Sequence, residues 1–354
     1  MDFRKLTAAT ASALIAGFAL APSAHATGDV WLEGSYERLN LADVNFVNDS
    51  LVTPIGTFDV REEFVNDNGM FNGFRFDGGI ANIPVMGGAY VMGVRGFFAW
   101  HDDKTDLECG PNIPFGSSGT SCVAQPLVDD PTIFQGLTYA GGGIQQFTTE
   151  RDVDHWGVAI DIAQGPNGLR AGPAFRQIDQ DLKITGRQIN PGAPPDPFQL
   201  TYSEDLETNY WGAFVAADGA IDLGGGWSLQ GDAEAGLYWA DTDFSGNYVV
   251  TNGVLLGATT NPNVSQSLSL DSNELAFIGV VKAALEKDFG AFKLAGFGRV
   301  EYISSAPDVA YNDLDTGPGG PPAQGPDDET RLGERYAYTI STGARVIVPL
   351  GAGQ

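Results

Sequence analysis

Long apolar runs and catalytic motifs are missing from the bulk of this chain, and basic residues are scarce. Beyond residue 26 no segment approaches the ~20 apolar residues that a membrane-crossing helix requires. Lysine and arginine number 19 against 45 aspartates and glutamates, a formal net charge of −26. Nucleic acid needs a basic footprint, so it is excluded as a partner. Charged residues make up only 18% of the chain, few for a soluble protein, and the acidic excess is expected in solvated loops. No GxSxG, HExxH, P-loop or paired CxxC signature occurs, and neither an EF-hand nor an RTX-type calcium repeat is present. Cysteine is limited to Cys109 and Cys122. Apart from His101 no histidine lies near them to complete a metal site, so no metal and no cofactor is expected.

Against these absences, glycine is abundant at 47 residues and aromatics reach 11%. The N-terminus carries Arg4 and Lys5, an apolar run from Ala8 to Ala21, then Ala24-His25-Ala26. A basic start, a short apolar stretch and an A-x-A site predict a secretory signal peptide over 1–26, with the mature domain over 27–354. No cysteine follows the cleavage site, so a lipoprotein anchor is not expected. Export makes a disulfide the expected state of Cys109 and Cys122, stapling the loop that holds Gly116, Ser117, Ser118 and Gly119. A glycine- and aromatic-rich chain behind a signal peptide suggests a transmembrane β-barrel, whose hydropathy signal is diffuse.

Alternation is clearest over 270–303. Phe292, Leu294, Gly296, Gly298, Val300 and Tyr302 share one parity, and Lys293, Ala295, Phe297, Arg299 and Glu301 the other. In a strand those sets face opposite sides. The preceding arm sets Leu275, Phe277, Gly279, Val281, Ala283 and Leu285 against Glu274, Lys282 and Glu286, with a turn at Asp288-Phe289-Gly290-Ala291. A helix is the competing reading, capped by Asp271 or Ser272 and striped by Leu275, Ile278, Val281 and Leu285. Comparable alternation predicts strands over 29–39, 71–83, 89–101, 151–164, 169–184, 206–222, 227–244 and 331–350. Residues 41–70 read as a loop with short strands of its own. The stretch 102–150 reads as the longest connection, with an extra hairpin over 132–149. Loops are expected at 190–197, 246–270 and 304–330.

The links decide between strand and helix. Those after strands two, four, six and eight are a few residues long, as at Gly165-Pro166-Asn167-Gly168 and Gly224-Gly225-Gly226, whereas those after the odd-numbered strands are much longer. Short turns on one side and long loops on the other mark an antiparallel up-and-down outer-membrane barrel, with both termini periplasmic. About ten strands fit, or twelve if a long loop hides a hairpin.

Parity then turns Glu33, Arg75, Asp77, Arg95, Asp161, Arg170, Arg176, Asp232, Glu234, Lys282, Lys293, Arg299, Glu301 and Arg345 toward the lumen. Either these charges pair and plug it, or they line a water-filled pore and select solutes. Ten strands make a narrow barrel, since wide channels belong to barrels of about 16 strands or more. His101-Asp102-Asp103 and Asp152-Val153-Asp154-His155 sit near the expected outer rim, where an acid–histidine pair could activate water. In so acidic a chain that neighbourhood is commonplace, and no enzymatic activity is expected. The loop clusters Asp327-Asp328-Glu329 and Asp313/Asp315 are read as solvated charge rather than divalent-cation sites.

One resemblance adds to this. Tyr210-Trp211-Gly212-Ala213-Phe214, then Gly219-Ala220-Ile221-Asp222-Leu223-Gly224-Gly225-Gly226-Trp227-Ser228-Leu229 and Ala233-Glu234-Ala235-Gly236-Leu237-Tyr238-Trp239, resemble the pore-forming outer-membrane proteins grouped with the Legionella major outer-membrane protein. The likeness covers about the last half of the chain. It departs at the end, where Leu350 fills the place of the usual closing aromatic and Gly351-Ala352-Gly353-Gln354 follows. The resemblance implies passive passage of small solutes in the bacterial outer membrane. The alternative is a closed structural or adhesive barrel presenting acidic surface loops. Expected partners are outer-membrane lipid and lipopolysaccharide, the barrel-assembly machinery and small solutes, and homo-oligomerisation is left open.

Overall fold

The computed structural model describes residues 28–41, 47–53, 56–63, 70–109, 120–124, 137–138, 144–164, 169–189, 199–251, 264–310 and 331–350. In chain order the strands are β1 (Gly28–Asn40), β2 (Val47–Thr53), β3 (Gly56–Glu63), β4 (Met70–Val85), β5 (Tyr90–Cys109), β6 (Thr120–Ala124) and β7 (Leu137–Thr138). There follow β8 (Ile144–Ala163), β9 (Arg170–Ile189), β10 (Gln199–Gly224), β11 (Trp227–Thr251), β12 (Val264–Asp288), β13 (Lys293–Ala310) and β14 (Arg331–Leu350). Ten of them close an antiparallel barrel in the order β1-β14-β13-β12-β11-β10-β9-β8-β5-β4, and β3-β2-β6-β7 form a small separate sheet. Closure comes from β1, which pairs with β14 from Gly28↔Leu350 to Asn40↔Tyr338 and with β4 from Asp29↔Ala81 to Asn40↔Met70. No helix competes for 270–303: β12 and β13 meet there in an antiparallel hairpin, Asp288↔Lys293 to Ile278↔Ile303.

The short turns are built from residues that tolerate left-handed backbone. Gly224, Gly225 and Gly226 have φ of 83°, 61° and 77°, a run that side chains would oppose. Gly290 has φ 84° in the next turn. In both, the preceding aspartate closes the bend: Gly224 N donates to Asp222 Oδ1 at 2.8 Å, and Gly290 N to Asp288 Oδ1 at 2.6 Å. The first short turn differs, as a 3-10 turn at Met86–Gly88 follows a register shift between Ile80 and Ile83. Residues 165–168 and residues 1–26, where a signal peptide is expected, lie outside the described residues.

Strands run further than alternation of apolar residues suggests. Residues 246–251 and 264–270, expected as loop, extend β11 and β12; 304–310 extend β13; and 102–109 and 144–150 extend β5 and β8. The expected hairpin over 132–149 is therefore replaced by the two-residue β7 and the start of β8. The cause is an inversion of polarity along each strand. In the lower part of β11, Leu229, Leu237 and Trp239 face outward and Asp232 and Glu234 inward. Further up, Asp243, Ser245 and Asn247 hold the exposed parity, while Ala240, Thr242, Phe244 and Tyr248 are buried inside. The upper wall is thus wetted on its outer face and largely apolar within, with Arg151, Gln180, Glu204 and Thr208 buried among the apolar side chains.

The boundary is drawn by rings. Tyr36, Phe74 and Trp100 touch in sequence across β1, β4 and β5, with centroids 6.0 and 5.9 Å apart. Trp156, Phe175 and Trp211 do the same across β8, β9 and β10 at 5.0 and 4.3 Å, and Tyr302 stacks on Tyr336 at 6.3 Å. Phe289 and Phe292 stack at the opposite end, 5.1 Å apart. Such girdles flank the apolar band of an outer-membrane barrel. Only ~10 residues per strand are needed to cross it, whereas β10 has 26 and β11 and β12 have 25 each. The part of β10 above Trp211 raises the wall roughly 30 Å beyond the girdle, at ~3.3 Å per residue and a tilt of ~40°.

Candidate functional site in the barrel lumen

Every charged residue assigned to the lumen by parity is found there. Arg75, Asp77, Arg95, Asp161, Arg170, Arg176, Asp232, Glu234, Lys282, Lys293, Arg299, Glu301 and Arg345, together with Glu33, line one cavity of about 680 Å³. Asp29, Asn82, Gly219 and Ile347, close to the strand ends at the short turns, also line it, so it is a vestibule on the short-turn side.

At its inner end the vestibule meets a mesh of ion pairs. Arg75 Nε lies 3.0 Å from Asp77, and its Nη1 lies 3.4 Å from Glu301 and 3.5 Å from Glu37. Arg176 bridges Glu301 at 2.8 Å and Glu234 at 3.2 Å, and Arg299 bridges Glu33 at 2.6 Å and Asp77 at 3.0 Å. Arg95 closes on Glu234 and Lys282 on Glu33. Aromatic faces fill the gaps: Arg75 sits 3.8 Å from the Phe97 centroid, and Lys282 sits 4.3 Å from that of Phe297. Burying such groups is tolerable only because each charge meets an opposite one.

Above the mesh lies a layer that charge-counting does not reveal. His101 and His155 are 2% and 1% exposed, with Nε2 atoms 3.3 Å from Glu37 and 3.9 Å from Glu301. They are not at the outer rim, because β5 and β8 continue well past them. Beside and above them Leu39, Leu41, Phe71, Val153, Ile178, Tyr210, Tyr238, Ala240, Ala276, Ile278, Ile303, Ala306 and Ala337 form one apolar cluster, none more than 4% exposed. Tyr210 Oη donates to the Ser305 carbonyl at 3.0 Å, tying β10 to β13 across the interior. Higher still Tyr202, Leu206, Phe244, Tyr248 and Leu268 are also buried.

Glu37, Glu286 and Phe97 belong to the lumen but were not among the residues first assigned to it. Strict parity would have found them, since Glu37 is in phase with Glu33, Glu286 with Lys282, and Phe97 with Arg95. The Cys109 and Cys122 backbones lie in β5 and β6, but their side chains, and so the expected pairing, lie outside what is described. The acidic clusters at 313–315 and 327–329 also lie outside the described residues.

A closed antiparallel barrel with an apolar outer band, aromatic girdles and a charged interior defines an outer-membrane β-barrel. Among solved structures the chain is similar to the outer-membrane protease OmpT from Escherichia coli, with 10% identity, coverage of 93% of this chain and 99% of that one, and a TM-score of 0.35. It is similar also to a Pseudomonas aeruginosa FadL homologue (8% identity, 91% and 90% coverage, TM-score 0.26). A third is the translocator domain of the autotransporter NalP from Neisseria meningitidis (10%, 99% and 98%, TM-score 0.21). These likenesses assign no activity to this chain. No protein-family model and no curated protein matches it. The class is an outer-membrane barrel; no particular family is identified, including the one that 210–239 resembles.

Proposed function

We propose that this protein is a closed, non-enzymatic outer-membrane barrel that raises a polar-faced wall and its loops above the membrane as a structural or adhesive surface. One observation carries the reading: the apolar cluster from Leu39 to Ala337 fills the lumen on top of a paired charge layer. A hydrated solute would have to displace both. Partners in this reading are outer-membrane lipid and lipopolysaccharide around the girdles, the assembly machinery, and whatever surface the wall meets. The passive-channel reading keeps one supporting feature, the charged vestibule, whose blind inner end would have to open. Planar-bilayer recording of the purified protein separates the two. A flat trace is expected; discrete, reproducible conductance steps would return the channel to first place.

A further inference from the structure

The vestibule below the ion-pair mesh is not uniform, because its two arcs carry opposite charge imbalances. On β8 to β11 three carboxylates converge on one guanidinium: Arg170 lies 3.2 Å from Asp161 and 3.1 Å from Asp218, and also closes on Asp232. Asp218 and Asp232 face each other across the β10–β11 ladder and keep 32% and 27% of their side-chain surface open. On β12 to β14 the balance reverses. Lys282, Lys293 and Arg345 meet one carboxylate of their own arc and one from neighbouring β1: Glu286 lies 3.1 Å from Lys293 and 3.8 Å from Arg345, and Glu33 of β1 lies 3.7 Å from Arg345 and closes on Lys282. Glu33 is moreover drawn away by Arg299, at 2.6 Å. Lys293 has 41% of its side chain open. Both arcs line the same cavity.

An excess of negative charge on one arc and of positive charge on the next sets up a lateral field across the vestibule, which the surrounding barrel wall focuses more than an open surface would. A plain anion or cation would gain on one arc and lose on the other. A molecule carrying both charges at separate ends gains on both. The cavity's 680 Å³ lies within the range of small-molecule pockets, about 300–1,000 Å³. We propose that the short-turn vestibule is a binding site for a small zwitterion entering from the periplasm, its ammonium against Asp161, Asp218 and Asp232 and its acidic group against Lys282, Lys293 and Arg345. The site does not depend on whether the barrel conducts, since a blind vestibule and the mouth of a channel would hold such a ligand alike.

The test is calorimetric titration of the detergent-solubilised full-length protein with 4-aminobutyrate, butyrate and butylamine. Saturable binding of 4-aminobutyrate, about tenfold tighter than either singly charged probe, is the expected result. Asp218→Asn should reduce the zwitterion to the affinity of butyrate, and Lys293→Gln to that of butylamine. No saturable binding of 4-aminobutyrate, or equal binding of all three probes, would overturn the site. The comparison of probes on the unmodified protein decides this even if a variant fails to fold, and the bilayer recording tests the closed-barrel reading separately.

Discussion

Glu301 shows at the level of a single side chain what holds the interior together. It is fully buried, and Arg75, Arg176 and His155 all approach it. Such a network adds little net stability over an apolar filling, but removing one member leaves the others charged and unpaired. Glu301→Ala is therefore expected to destabilise the barrel by about 3–5 kcal/mol, read as a lower temperature at which unboiled protein loses its compact gel migration. Tyr238 is held by the opposite device, an empty position. Gly212 lies directly across from it in the ladder, and a Cβ there would collide with the Leu237 carbonyl oxygen and sit 2.7 Å from the Tyr238 ring. Gly212→Val should force the β10–β11 backbones apart as well as displacing that ring, at a cost of at least about 1–3 kcal/mol, the usual range for overpacking. A denaturant midpoint unchanged from the parent would contradict this.

Strand by strand, the upper wall bears a ladder of like charges. Asp154 faces Asp179, Asp179 faces Glu207, Glu207 faces Asp243, and Asp243 faces Asp271, each directly across an antiparallel pair. Like charges in that arrangement oppose pairing by about 0.2–1 kcal/mol each. Added salt should therefore raise the melting temperature, chiefly through the exposed Asp243 and Asp271 and the half-buried Glu207 between them and Asp179, since charges in contact with solvent are screened over about 8–10 Å at physiological strength. Glu207→Gln should raise it at low salt and shrink the salt effect; a melting temperature that falls with salt would show that attraction dominates there. The apolar cluster makes the reverse contribution. Replacing Ile178 and Tyr210 together by alanine should cost several kcal/mol. It should still yield no conductance, because the Arg75–Glu301–Arg176 layer beneath it remains.

Taken whole, the molecule is a tall barrel with its lipid-facing band at the short-turn end. Single cysteines report that geometry, once Cys109 and Cys122 are replaced by serine. On intact cells a membrane-impermeant maleimide should label Ser245→Cys or Ser269→Cys, which face outward above the girdle. It should leave Val215→Cys, on the apolar band, and Gly225→Cys, in a short turn, unlabelled. Strong labelling of Gly225→Cys would mean that the barrel sits the other way up.

How much of this the residues announce depends on which pattern they carry. Lipid outside and charge inside leave a period-two record, which gives the inward direction of Arg75, Lys282 and Arg299; the hairpin at 270–303 and a strand number of about ten needed the alternation of short and long links as well. Above the girdle the same parity carries serine, asparagine and aspartate outward, and 246–270 then looks like loop although 246–251 and 264–270 are strand. The seal is harder still to see. Leu39, Phe71, Ile178 and Tyr210 come from strands far apart in the chain, and each on its own is an ordinary apolar residue in the inward phase. Local periodicity, set by the pleat, determined the barrel and the faces of its strands. Closure determined the rest: bringing ten inner faces within one side chain's reach of each other made a filled interior above, paired charges in the middle and a polarised vestibule below.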